Sequence, residues 1–208
     1  MTGGWADDDA RNVALYTRLR GEHGDDVRAL NWGSRGSQRR RFQVLAEVGD
    51  LDGASLLDVG CGLGDLKSWL AEAGHRVSYT GIDLTGAMVD GARERHPDGD
   101  FRLGNLLDDA GIGPDSFDYV LSSGIFYFRQ DRPRAFLEAM VARMAQVARL
   151  GVSFNTLSAW ADRREGDEFQ ADPLATLDFC RRISRRVVLR HDYHPGDFTV
   201  YLYPGAGA

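Results

Sequence analysis

Cysteine is scarce in these 208 residues: there are two, Cys61 and Cys180, with no CxxC or mixed Cys/His cluster around either. That excludes a disulfide-stapled scaffold and a structural metal site, and it suits a reducing compartment. Lysine is nearly missing; Lys67 stands alone, and every other fixed positive charge is an arginine. Long apolar runs are missing too. The uncharged stretch 119–128 lies between Asp118 and Arg129, and a membrane-crossing helix needs about twice that length. The acidic start MTGGWADDDA carries no basic-then-apolar leader, so the expected location is cytoplasmic. Nor is there a surplus of positive charge: 25 basic residues against 31 acidic ones leave a net −6. A global electrostatic grip on nucleic acid is therefore not expected.

What is present suits one domain over 1–208, with 43% apolar and 27% charged residues. No repeat or long linker breaks it. Residues 1–50 read as a helical preamble, with helices over 10–20 and 38–48 around the turn-rich NWGSRGS. A regular alternation follows. Strands are expected over 55–59, 77–82, 100–103, 117–121 and 150–154. Helices are expected over 65–73, 85–96, 133–148 and 173–183, and two more strands over 186–190 and 198–202. Such alternation builds a mostly parallel sheet covered on both faces. Only residues 191–197 separate the last two strands, which is too short for a parallel crossover. The final strand must run antiparallel to its neighbour.

In open α/β sheets, ligands bind beyond the carboxyl ends of the strands. The first strand ends in LLDVGCGLGD, 56–65. Its glycines let the backbone bend sharply and approach a ligand without a Cβ in the way, and the following helix offers free N–H groups. The second strand ends in GIDLT, placing Asp83 23 residues after Gly60. That is close to the spacing of a carboxylate that holds a ribose diol. Two other nucleotide motifs fit less well. A GxGxxG fingerprint would need glycine where Asp65 stands. A P-loop would need Gly-Lys-Ser/Thr, but Leu66 precedes Lys67 and Ser68.

LLDVGCGLGD, GIDLT, FRLGNLLD (101–108) and FDYVLSSGIF (117–126), in that order, resemble the motifs of class I S-adenosylmethionine-dependent methyltransferases. The resemblance covers about 55–154, and the antiparallel ending extends it to about 203. It implies a Rossmann-like α/β fold: a seven-stranded, mostly parallel sheet with an antiparallel last strand and helices on both faces. It also implies S-adenosylmethionine as cofactor. Gly60, Cys61 and Gly62 would then lie against its methionine part, and Asp58 would orient that loop or meet the amino group through water. Asp83 would bind the ribose and Leu84 would flank the adenine. Asn105 or Asp108 would accept from the adenine amino group, with the Leu106 N–H meeting the ring. Ser122 would touch the methionine end. The family often has an acid where Asn105 stands, but an amide carbonyl can also accept from an amine.

Methyl transfer from a sulfonium is an in-line displacement, so positioning is the main catalytic effect and a base is needed only for a protonated acceptor. The acceptor rim should come from 122–128, 155–160 and the hairpin HDYHPGD, with 1–50 as a helical lid, closing chiefly through 32–41, over a core of 51–208. His194, Tyr127 and Asn155 are the candidate catalytic groups. Trp32, Arg41, Tyr127, Asn155 and Tyr193 are the candidate substrate contacts. The expected acceptor is N or O of a small polar metabolite, with no metal and no membrane partner. One alternative is an RNA methyltransferase using Arg39–Arg41 and RRISRR at 181–186. The other is a catalytically silent nucleoside-binding partner protein.

Overall fold

A computed structural model describes residues 5–31, 33–108, 111–128, 130–162 and 168–205. Before the sheet come helix α1 (Ala6–His23), a 3-10 turn (Val27–Leu30) and helix α2 (Arg35–Ala46). The strands are β1 (Ser55–Val59), β2 (Ser78–Asp83), β3 (Asp100–Leu103), β4 (Phe117–Ser122), β5 (Ala148–Leu157), β6 (Val187–Arg190) and β7 (Asp197–Leu202). Between them lie α3 (Asp65–Glu72), α4 (Gly86–Arg95), α5 (Pro133–Val147) and α6 (Pro173–Ile183). All seven strands form one sheet in the order β3-β2-β1-β4-β5-β7-β6. β7 pairs antiparallel with both β5 and β6, as the short connection requires. Among the described residues no helix is long and apolar enough to cross a membrane.

Local chemistry explains most boundaries. The Asp172 side chain accepts from Ala175 N at 2.9 Å to cap α6, and Ser34 accepts from Ser37 N at 3.2 Å to cap α2. Pro133 opens α5, which buries Phe136, Leu137, Met140, Val141 and Met144 against the sheet. β7 is buried along its whole length and β1 from Leu56 onward, so both lie inside the molecule with no solvent-facing side.

Two elements are longer than their sequence patterns suggest. α1 runs from Ala6 rather than residue 10, because Asp7, Asp8 and Asp9 complement the positive end of its dipole. β5 continues to Leu157 because Asn155, Thr156 and Leu157 pair with Thr199, Phe198 and Asp197. The antiparallel direction of β7 has a further consequence. It brings the beginning of that strand, Asp197, to the sheet edge where β1, β4 and β5 end.

Candidate active site

Beyond the ends of β1, β2 and β4 lies a cleft with about 1000 Å³ of empty space. Its floor is the bend Gly60–Cys61–Gly62. Gly60 and Gly62 have φ of 75° and 52°, a region most side chains avoid. A Cβ on Gly60 would stand 2.2 Å from Ile125 Cγ2. The backbone therefore reaches the cleft only because glycine stands there. Asp83 lies directly beside the bend. One carboxylate oxygen accepts from Gly62 N at 3.0 Å, the other from Thr85 N at 2.8 Å. Each oxygen can accept a further hydrogen bond.

Three carboxylates line the cleft, those of Asp58, Asp65 and Asp83; no lysine, arginine or histidine does so among the described residues. Asp58 is buried and accepts from the Tyr79 hydroxyl at 2.6 Å. Burial pushes its carboxyl up to about 7, against the pull of that hydrogen bond. Burial also raises Asp83, and the N–H groups of Thr85 and Gly62 hold it back. Asp65 is balanced by Arg95 at 2.7 Å and by the Gln38 amide at 3.0 Å. Cys61 lines the wall, its thiol raised by burial and so unreactive. The cleft is thus acidic and mostly apolar, suited to an amphiphilic cation.

Leu84, Asn105 and Leu106 line the same cleft. Asn105 Oδ1 accepts from Leu107 N at 3.0 Å, and its Nδ2 donates to Asp9 of α1 at 2.9 Å. Asp108 is exposed and does not line the cleft. Ser122 departs from expectation as well: it is fully buried and donates to the Val59 carbonyl at 2.9 Å, tying β4 to β1. Its neighbour Ser123 lines the wall instead.

The sequence profile described as "Methyltransferase domain" matches residues 56–148. The Mycobacterium tuberculosis protein Rv1506c, provisionally named a methyltransferase, is 35% identical over 165 residues, which are 74% of this chain and 96% of that protein. The chain belongs to the class I S-adenosylmethionine-dependent methyltransferases. Magnesium protoporphyrin IX methyltransferase from Synechocystis PCC 6803, solved with bound S-adenosylmethionine, shares the fold at 19% identity, with a TM-score of 0.67 over 94% of this chain and 96% of that one. Mouse 18S rRNA (guanine-N(7))-methyltransferase is 40% identical over 67 residues, 32% of this chain and 23% of that enzyme.

The residues present in this methyltransferase fit its cofactor. The electronegative cleft matches a sulfonium, the glycine bend leaves room for the chain that bears it, and Asp83 has lone pairs left for a diol. Beside the cleft, and sharing Gly124 with it, is a smaller chamber of about 270 Å³. Three of the expected substrate contacts meet there: Arg41, Tyr127 and Asn155. Asn155 Oδ1 accepts from Gly124 N at 3.1 Å. Arg41 is buried, bonded to Ser37 and ion-paired with Asp197.

The other expected contacts fall elsewhere. Tyr193 does not line the chamber; its hydroxyl meets Thr199 Oγ1 at 2.9 Å. His194 stays in the hairpin loop, and Trp32 lies outside the described residues. In the methyltransferase the cleft is bordered by α1 through Asn12 and Tyr16, by Leu30 of the 3-10 turn and, within the expected lid, by Gln38 of α2. Tyr16 and Tyr127 share a hydrogen bond of 2.9 Å, and Asn31 donates to Tyr127 at 3.2 Å. Sequence reasoning placed a helix over 10–20 but not its seat over the cleft, and it put the hairpin 191–197 at the rim without singling out Asp197, which the antiparallel register brings to this edge.

Proposed function

We propose that this methyltransferase methylates a nitrogen or oxygen of a small polar molecule seated in the chamber beside Gly124. The supporting observation is the chamber itself. It is small, it adjoins the cofactor cleft, and it mixes aromatic and aliphatic walls (Phe126, Tyr127, Leu157) with polar groups from Arg41, Asn155, Thr156 and Asp197. The Thr156 hydroxyl is buried there with no hydrogen-bond partner among the described residues. A buried hydroxyl left unpaired is costly.

In this reading Asp83 holds the ribose, Leu84, Asn105 and Leu106 the adenine, and the bend 60–62 with Asp58 the aminoacyl end. The cofactor supplies a methyl group already activated by the positive charge on sulfur. What remains for the chain is to hold the acceptor in line and keep water out, with α1 as the lid. Such positioning can supply roughly 7–11 kcal/mol of the barrier. Tyr127 and Asn155, both in the chamber wall, orient the acceptor.

RNA as acceptor is favoured less. The basic runs are largely engaged: Arg39 pairs with Glu72, Arg41 with Asp197 and Arg182 with Asp178, while Arg186 covers the Tyr203 ring. A panel of small amines, hydroxyl compounds and carboxylates, alongside bulk RNA, is incubated with the enzyme and methyl-labelled cofactor. Label in small compounds that is lost in Asn155→Leu supports the reading. Label in RNA alone refutes it.

A further inference from the structure

Three side-chain amides line the cofactor cleft, those of Asn12, Gln38 and Asn105. Two of them are engaged. Gln38 Nε2 donates to Asp65 at 3.0 Å, and Asn105 Nδ2 donates to Asp9 at 2.9 Å. Asn12 is half-buried in the wall, and its amide has no hydrogen-bond partner among the described residues. Its place on α1 decides what it faces. Asp9, Asn12 and Tyr16 are three and four residues apart, so they share one face of the helix. Asp9 meets Asn105. Tyr16 stands close enough to Asp83 to feel its charge. At 1.5 Å per residue, Asn12 lies about 4–5 Å along the axis from Asp9 and about 6 Å from Tyr16. It therefore overlies the stretch of cleft between Asn105 and Asp83.

We propose that Asn12 is a further cofactor-binding residue: its Nδ2 donates to the adenosine half of the cofactor, and this bond seats α1 over the occupied cleft. The inference rests on the reading that puts adenine at Asn105 and ribose at Asp83. In that reading the donors of adenosine are already matched, the ribose hydroxyls by Asp83 and the amino group by Asn105. What adenosine still offers is acceptors, namely ring nitrogens and the lone pairs of the hydroxyl oxygens. The ionised carboxylates of the cleft only accept and cannot meet them. The Asn12 N–H groups supply the missing donors, and they come from the one direction that the sheet does not cover. Tyr16, one turn further along α1, shares a hydrogen bond with Tyr127 in the chamber wall. The seated helix thus joins an occupied cofactor cleft to the acceptor chamber.

The test uses the full chain and S-adenosylhomocysteine, which has no sulfonium charge for a new carboxylate to attract. Asn12→Leu removes the amide. Asn12→Asp keeps its shape and its acceptors and loses its donors. Neither change breaks a hydrogen bond within the described fold, so both variants are expected to keep the melting temperature of the ligand-free protein. By calorimetry each is expected to bind S-adenosylhomocysteine about tenfold more weakly than wild type. 5′-Methylthioadenosine keeps the adenosine and lacks the aminoacyl end, and it is expected to lose the same factor. Saturating S-adenosylhomocysteine is expected to slow proteolytic cleavage within α1 several-fold in wild type and in neither variant. Affinity kept in either variant, a loss confined to S-adenosylhomocysteine, or equal protection of α1 in all three proteins overturns the role of Asn12 alone. Wild-type affinity in Asp83→Ala overturns the placement of the nucleoside, and the role of Asn12 with it.

Discussion

Replacing Asp58 by asparagine should make the ligand-free protein more stable, and increasingly so as pH rises. Asp58 is 3% exposed and bonded to Tyr79. Asparagine keeps an acceptor for that hydroxyl and removes the charge. In the fold the carboxyl is raised from 3.8 to about 7. Below 3.8 it is protonated in both folded and unfolded chains, and the shift has no effect. Between these values the unfolded chain loses its proton first, the folded chain binds more protons, and stability falls with pH. Above about 7 the penalty is complete. At about 1.4 kcal/mol per pKa unit, Asp58→Asn should gain about 2 kcal/mol at pH 5 and about 4 kcal/mol at pH 8. Urea unfolding of both proteins without ligand, at the two pH values, measures this. The same variant should bind S-adenosylmethionine more weakly at pH 8, since it removes a negative charge from the cleft. An equal effect at both pH values, or a destabilisation that grows with pH, would refute the reasoning.

Other changes separate binding from scaffolding. Gly60→Ala places a Cβ against Ile125 at positive φ and should cost about 2–4 kcal/mol by strain and overpacking, with at least tenfold weaker cofactor binding; thermal unfolding and calorimetry check both. Ser122→Ala removes the hydrogen bond to the Val59 carbonyl and should destabilise by about 1 kcal/mol. Its affinity for S-adenosylhomocysteine should stay within twofold, because the side chain does not line the cleft. Tyr127→Phe loses the bonds to Tyr16 and Asn31. It should speed proteolytic cleavage within α1 several-fold while the melting temperature shifts by only a few degrees.

The sheet was legible because its signals are local. Buried apolar runs, capping residues and the short β6–β7 connection each dictate structure within a few residues, and they agree with one another. Asp83 was legible for a similar reason: strand, glycine bend and acid follow in a fixed order. The acceptor chamber was legible only in part. Arg41, Tyr127 and Asn155 stand on segments that must end at the right edge. Whether Ser122 or Ser123 faces the cleft, however, depends on one residue of strand alternation. The hairpin 191–197 was legible as part of the rim, but Asp197 did not stand out within it, because its position depends on pairing with Leu157, forty residues away in sequence. The reach of α1 escaped because polar contacts such as Asp9–Asn105 and Tyr16–Tyr127 hold it over the cleft, rather than an apolar stripe that the sequence would display.

The account rests on Asp83 and the glycine bend holding the cofactor together. Calorimetric titration of S-adenosylhomocysteine into the wild-type protein and into Asp83→Ala tests this most directly. Loss of two hydrogen bonds to a charged group, at about 1.5–3 kcal/mol each, predicts at least 100-fold weaker binding in the variant. Dissociation constants within threefold of each other would contradict it.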